Sequence, residues 1–186
     1  MLAAMTPPAI RPSTEADLPA IAAIYGHHVR HGLASFEYDP PPAAELGRRR
    51  AEVLRLFLPH LVAETDGRVL GFAYASLYRT RPGYAHVVED SVYVAPDATG
   101  RGAGRALLGA VIDACTALGR RQMVAVIGDS ANAGSIGLHR AMGFRVVGTL
   151  SSIGWKHGRW VDSVLMQRAL GDGDATEAPD RTTLTG

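Results

Sequence analysis

The chain has 186 residues, with 19 Lys and Arg against 18 Asp and Glu and a formal charge of +1. That length suits one domain with a real core, and the near-balance of charge removes any bulk electrostatic case for nucleic acid. A single cysteine excludes a disulfide framework or a multi-cysteine zinc site and fits a reducing compartment. No apolar run approaches the ~20 residues of a membrane span. Met1 to Ala9 lacks the charged start and apolar core of a signal peptide, so the chain reads as cytoplasmic, with no membrane partner.

Residues 1–9 read as a flexible tail, 10–170 as one domain, and the polar stretch 171–186 as a disordered tail. Ile10-Arg11 begin a first strand that Pro12 ends. Thr14 to Asp17 have the pattern of a capping box, and a helix follows over Leu18, Ile21, Ile24, Tyr25 and Val29. His27, His28 and His31 close it, where the helix dipole favours them. His27 and His31 are spaced to share a metal, but no partnering carboxylate is evident and no metal is expected. A loop through Phe36 and Pro40-Pro41-Pro42 opens a second helix, roughly Ala43 to Phe57, whose Arg48-Arg49-Arg50 run reads as a solvated face.

Leu61 to Glu64 and Val69 to Tyr78 read as two strands joined by an Asp66-Gly67 hairpin turn. The Arg79 to Tyr84 loop leads to a strand over Val87 to Val94, rich in β-branched residues and stopped by Pro96. After Thr99-Gly100-Arg101-Gly102-Ala103-Gly104 a helix carries one apolar stripe: Leu107, Leu108, Val111, Ile112, Cys115 and Leu118. Met123 to Ile127 is a buried strand, Asn132 to Met142 a helix ended by Gly143, and Phe144 to Leu150 and Val161 to Gln167 the last strands. The order β-α-α-β-β-β-α-β-α-β-β is an α/β fold, a mixed central sheet flanked by helices.

Strand, glycine loop and helix N-terminus together make an anion site from free N–H groups and the positive end of a dipole. Three loops of this kind compete. A dinucleotide fingerprint wants G-x-G-x-x-G directly after the strand and an acidic residue about 20 positions later. Here the strand ends several residues early, and the later region holds Arg120 and Arg121. A Walker loop needs G-K-[ST], which Gly104-Arg105-Ala106 does not supply. The third is a pyrophosphate cradle of the Q/R-x-x-G-x-G type.

On that loop the chain resembles the GNAT N-acetyltransferases, with Thr99 where that family usually has Gln or Arg. A narrower likeness covers Ser35 to Tyr38, Arg79 to Tyr84, Val88 to Val94, Val124 to Ile127, Gly137 to Phe144 and Gly154 to Asp162. In these blocks the chain is similar to the phosphinothricin and methionine sulfoximine/sulfone acetyltransferases. The resemblance implies the GNAT fold along the chain, tails excluded, and a homodimer. It implies acetyl transfer from acetyl-CoA to the α-amino group of a glutamate-like or methionine-derived small amino acid, without a metal.

It also assigns roles. Glu89 would be the general base that takes the amine proton. Arg79 and Arg81, two fork donors on alternate positions, would hold an anionic acceptor, with Phe36 and Tyr84 as pocket wall or packing. Gly100, Arg101, Gly102, Ala103, Gly104 and Arg105 would hold the pyrophosphate. Val92, Tyr93 and Val94 would flank the thioester, one main-chain N–H there stabilising the oxyanion. Asn132, with Ser135 beside it, would contact the pantetheine arm, or cap the next helix. His139 stands where many acetyltransferases carry a tyrosine that protonates the leaving thiolate, a modest task for a thiol of pKa ~8.5. Cys115 sits on the apolar stripe, where a thiol is inert, so direct transfer in a ternary complex is expected. The rivals are another amine acceptor (a polyamine, an aminoglycoside, a peptide N-terminus) and a CoA-binding sensor without turnover.

Overall fold

The computed structural model describes residues 7–180 and Leu184; the rest of both expected tails lies outside the described residues. Strand β1 (Ala9–Pro12) precedes helices α1 (Leu18–His31) and α2 (Ala43–Arg55). Strands β2 (His60–Thr65), β3 (Arg68–Leu77) and β4 (Val87–Val94) follow. Then come α3 (Ala103–Ala117), β5 (Gln122–Gly128), α4 (Ala133–Ala141), β6 (Arg145–Lys156) and β7 (Arg159–Ala169). The element order is the one read from the sequence.

The strands form one sheet in the order β1-β2-β3-β4-β5-β7-β6. Every neighbouring pair is antiparallel except β4 with β5. A parallel pair needs a crossover, and α3 provides it. Leu107, Leu108, Val111, Ile112 and Cys115 of α3 pack on Ala63, Ala73, Ala75, Val88 and Met123, and α4 adds Ile136 and Leu138, with Met142 just past its end, to the same cluster. The small strand residues let α3 lie close. Each fully buried Leu or Val contributes roughly 1.5–3 kcal/mol. The opposite face is covered by α1 and α2, through Ile21, Ile24, Tyr25, Val29 and Leu46 against Val62 and Phe72.

Local chemistry sets the joints. The Thr14 N–H donates to Asp17 Oδ2 at 2.7 Å, closing the first turn before α1. Arg11 forks onto the same carboxylate at 2.8 Å, and that bond first of all holds Asp17 well below the usual carboxylate range. Asp66-Gly67 and His157-Gly158 both take left-handed φ values (50° and 76°, 50° and 73°), the requirement of a two-residue type I′ hairpin turn. The arginine run of α2 is not wholly solvated: Arg50 donates to Ser13 Oγ at 2.8 Å and Arg49 to Glu37 at 2.6 Å.

Two regions differ from the sequence reading. Strand β6 continues past Leu150 to Lys156, and β7 starts at Arg159 rather than Val161. The register shifts between Leu150 and Gly154 and Ser152 turns to φ 52°, so the period-two pattern breaks where the strand does not. Residues 171–180, read as disordered from composition, lie along Arg121, which donates to Gly173 O at 3.3 Å and to Thr176 Oγ1 and Glu177 O at 2.9 Å.

Candidate active site

Strands β4 and β5 pair only over Val87–Asp90 and Gln122–Ala125, yet β4 runs on to Val94 and β5 to Gly128. From Ser91 onward the sheet is open at its centre. The Ala95 N–H donates to Leu70 O at 2.8 Å, so by alternation Tyr93 also faces β3, while Val92 and Val94 turn their N–H and C=O groups into the gap. Val94 O is met there by His28 Nε2 at 2.8 Å. Burial lowers the pKa of His28, which is therefore a neutral ring donating from Nε2.

The gap widens into a cavity of about 810 Å³ that reaches the turn before α3. Gly100 and Gly102 hold φ values of 74° and 85°, the left-handed region that an L side chain strains to enter. The first amide of α3 to bond its own backbone is that of Ala106, to Gly102 O at 3.0 Å. The N–H groups of Ala103, Gly104 and Arg105 are thus left at the positive end of the helix, the usual place for an anion. The Thr99 hydroxyl donates to Pro96 O at 3.0 Å and is occupied within the loop.

Val92, Tyr93, Val94, Gly100, Gly102, Gly104, Arg105, Asn132 and Ser135, read from the sequence as co-substrate contacts, line this cavity. Arg101 and Ala103 are not in the lining: the first is exposed and the second, the first residue of α3, has its side chain buried and offers only its N–H. Asn132 caps α4, its Oδ1 accepting from Ser135 N–H at 3.1 Å. Its amide also donates to Gly128 O at 3.4 Å. His28, His31 and Asp129 line the cavity too. Nothing in the sequence set His28 apart from its neighbours at the end of α1.

Glu89 and Asp90 are adjacent on β4 and therefore face opposite sides of the sheet. Glu89 shares the α1–α2 side with Ser91 and Tyr93. Burial raises its pKa, the Asp90 charge adds to that, and Arg79 pulls it partly back. Asp90 is buried on the other side, where its Oδ2 lies 3.0 Å from His139 Nε2. Sequence reasoning missed Asp90, because only the fold brings α4 across it. Cys115 is buried and its thiol is pushed up to about 12, which leaves it no thiolate to offer.

The residues read as the acceptor pocket fall in two groups. Phe36 packs on the β6–β7 hairpin, so close that a Cβ on Gly154 would sit 2.8 Å from its ring. The same joint is held by Lys156 Nζ to Ser35 O at 2.5 Å and by Tyr38 OH to Trp155 O at 2.7 Å. Arg79 lies over the Tyr78 ring at 5.1 Å, and Tyr84 meets that ring edge-on at 5.8 Å. Arg79 and Arg81 line a recess of about 360 Å³ with Arg55 and Arg120. Arg79 is the member of this group whose charge reaches Glu89.

A parallel strand pair that parts over a cavity, closed at one end by a glycine turn on a helix N-terminus, makes an anion site beside an open strand edge. The chain belongs to the acetyltransferase (GNAT) family, whose profile matches residues 26–144. It is an N-acetyltransferase, and acetyl-CoA is its co-substrate. A phosphinothricin N-acetyltransferase of Alcaligenes faecalis is 54% identical over 167 residues, covering 90% of this chain and 85% of the relative. An L-methionine sulfoximine/L-methionine sulfone acetyltransferase of Pseudomonas paraeruginosa is 42% identical over 165 residues, 87% of this chain and 94% of the relative. The crystal structure of a phosphinothricin acetyltransferase from Sinorhizobium meliloti, in complex with acetyl-CoA, superposes with a TM-score of 0.91 at 44% identity, covering 94% and 95% of the two chains. The residues here fit that co-substrate: unbonded amides at the start of α3, Arg105 beside them, and strands β4 and β5 unpaired with each other past Asp90 and Ala125.

Proposed function

We propose that the protein acetylates the α-amino group of a small glutamate-like or methionine-derived amino acid, such as phosphinothricin, methionine sulfoximine or methionine sulfone. The acetyl group passes directly from acetyl-CoA to the amine in a ternary complex, with Glu89 as general base. The observation that carries this reading is the half-buried Glu89 carboxylate on β4, two residues before β4 and β5 part at Ser91. An α-amino group is mostly protonated near neutral pH. A half-buried carboxylate with a raised pKa, next to the open strand edge, is a suitable acceptor for its proton. The names of the relatives support an amino-acid analogue as acceptor. The inert Cys115 thiol argues for direct attack over an acyl-enzyme.

Arg79 and Arg81 hold the acceptor's carboxylate or phosphinate as fork donors; the reach of the Arg79 charge to Glu89 supports an anion bound beside the base. Phe36 and Tyr84 wall the acceptor, and His139 serves the leaving group. Residues 10–170 are the catalytic unit, and the protein works in the cytoplasm as a homodimer, removing toxic analogues as a resistance activity. The outer strand β6 supports self-association: Val147, Leu150, Ile153 and Trp155 are exposed along it, with Trp160 beside them on β7.

The test is CoA release from acetyl-CoA with phosphinothricin, methionine sulfoximine, methionine sulfone, ordinary amino acids, spermidine and an aminoglycoside. Turnover confined to the amino acids and analogues is expected. Arg81→Ala should raise the acceptor KM at least tenfold with kcat held within about threefold, the sign of lost anion binding. Turnover with the cationic amines alone would overturn the acceptor assignment. Tight acetyl-CoA binding without turnover of any amine would make the protein a sensor.

A further inference from the structure

His139 is 4% exposed, and both of its ring nitrogens are engaged. Nδ1 lies 2.8 Å from Ser135 O and 3.4 Å from Ser135 Oγ, and Nε2 lies 3.0 Å from Asp90 Oδ2. A carbonyl oxygen only accepts, so Nδ1 carries a hydrogen. Nε2 faces a carboxylate, which as an anion only accepts as well. The ring is therefore an imidazolium when Asp90 is ionised. Burial by itself would lower the pKa of His139, but the bond to Asp90 and the Asp90 charge outweigh it, and the net shift is upward.

The pair faces a second, smaller cavity of about 50 Å³ in the notch between β4 and β5. Val92, Asn132 and Ser135 line both this cavity and the large one, so the notch opens onto the acetyl-CoA cleft. The other titratable groups that feel the Asp90 charge are Glu89 on its own strand and Cys115 on α3. Cys115 stays a neutral thiol, and Glu89 points to the opposite face of the sheet. Phe144 closes the His139 ring from the side, edge-on at 5.0 Å. With Asp90 ionised, His139 is a buried cation whose Nδ1 side lies toward Ser135.

We propose that Asp90, His139 and Ser135 form a proton relay ending at the CoA sulfur, with Asp90 as its positioning residue. The proposal rests on the acetyl-transfer reading above. When the amine nitrogen bonds to the acetyl carbon and the C–S bond breaks, the electron pair leaves on sulfur. Sulfur takes the Ser135 hydroxyl proton, Ser135 Oγ takes the Nδ1 proton, and His139 becomes a neutral ring with its remaining hydrogen on Nε2, still bonded to Asp90. The proton lost by the amine goes to Glu89, and solvent restores both groups after the products leave. Asp90 touches neither substrate. It fixes which nitrogen keeps its hydrogen and keeps the ring charged before each turnover.

Two measurements test this. Nitrogen NMR of His139 in the folded wild-type protein, which needs no turnover, should show both ring nitrogens protonated at pH 7. In Asp90→Asn the transition should move to lower pH. A His139 neutral at pH 7 in the wild type, or one whose titration is unmoved in Asp90→Asn, overturns the relay. In kcat–pH profiles the wild type should lose activity as pH rises through the His139 transition, and Asp90→Asn should shift that limb toward acid. Ser135→Ala should lower kcat by roughly 10²-fold while the acetyl-CoA dissociation constant, read by calorimetry, shows both variants folded and binding. Unchanged kcat in Ser135→Ala overturns the terminal step. Absence of turnover in the wild type would count against acetyl transfer itself and leave the NMR result standing.

Discussion

On the proposed co-substrate side of the cleft, the groups offered to an anion are the amides of Ala103, Gly104 and Arg105, set by a run of consecutive residues. On the proposed acceptor side, Phe36, Arg79, Arg81 and Tyr84 come from two loops that the sequence keeps far apart. Their placement depends on a strand hairpin, a cation–π contact and a lysine–carbonyl hydrogen bond. A site made of backbone needs only a conformation, and glycine at Gly100 and Gly102 specifies one. A site made of side chains needs distant elements to arrive together. The first kind tolerates changes of side chain, whereas the second loses specificity when any one support shifts. Substitutions on the two sides should therefore act on different kinetic constants.

The largest effect belongs to the residue between the two sides. Glu89→Gln should lower kcat by roughly 10²- to 10⁴-fold, with KM for acetyl-CoA little changed. Burial raises the Glu89 pKa, and a base must be unprotonated to act. Wild-type activity should thus fall as pH drops through a transition above the ordinary carboxylate range, and the residual activity of the Gln variant should lack that limb. A retained acid limb in the variant would assign it to another group.

Next comes the cradle. Gly102→Val forces a β-branched residue to φ 85°, a cost of about 1–2 kcal/mol. KM for acetyl-CoA should rise roughly tenfold, with the acceptor KM and the acid limb intact. On the other side, Gly154→Ala puts a methyl group 2.8 Å from the Phe36 ring. The ring is the part that can move, at a cost of about 1 kcal/mol, or roughly fivefold in acceptor KM with acetyl-CoA KM unchanged. Equal effects of either substitution on both constants would show that the two sides are not separable.

The same division explains what the sequence made legible. The element order, the glycine cradle and the hairpin turn at Asp66-Gly67 follow from local rules, and the structure has them where those rules put them. The far end of β6 was hidden because a register shift and Ser152 interrupt its alternation. The contacts of residues 171–180 were hidden because they are made largely by one distant side chain, Arg121, which no local pattern announces. His28 and Asp90 were illegible for the same reason. The bond of His28 to Val94 O and that of Asp90 to His139 join elements distant in the chain, and no spacing within α1 or β4 announces either. Resemblance to relatives named the acceptor residues, which composition and periodicity could not have done.

The smallest effect sharpens the comparison most. Thr99 stands where relatives of this loop usually carry a longer polar side chain, and its hydroxyl is bonded to Pro96 O within the turn. If the amides of Ala103, Gly104 and Arg105 carry the anion, Thr99→Ala loses only one exposed neutral hydrogen bond, worth at most about 1 kcal/mol and shared with water. KM for acetyl-CoA should then change by less than about threefold, well short of the Gly102→Val effect. A Thr99→Ala effect as large as that of Gly102→Val would mean that the Thr99 side chain, and not the backbone alone, shapes the cradle. The co-substrate side would then depend on side chains as the acceptor side does.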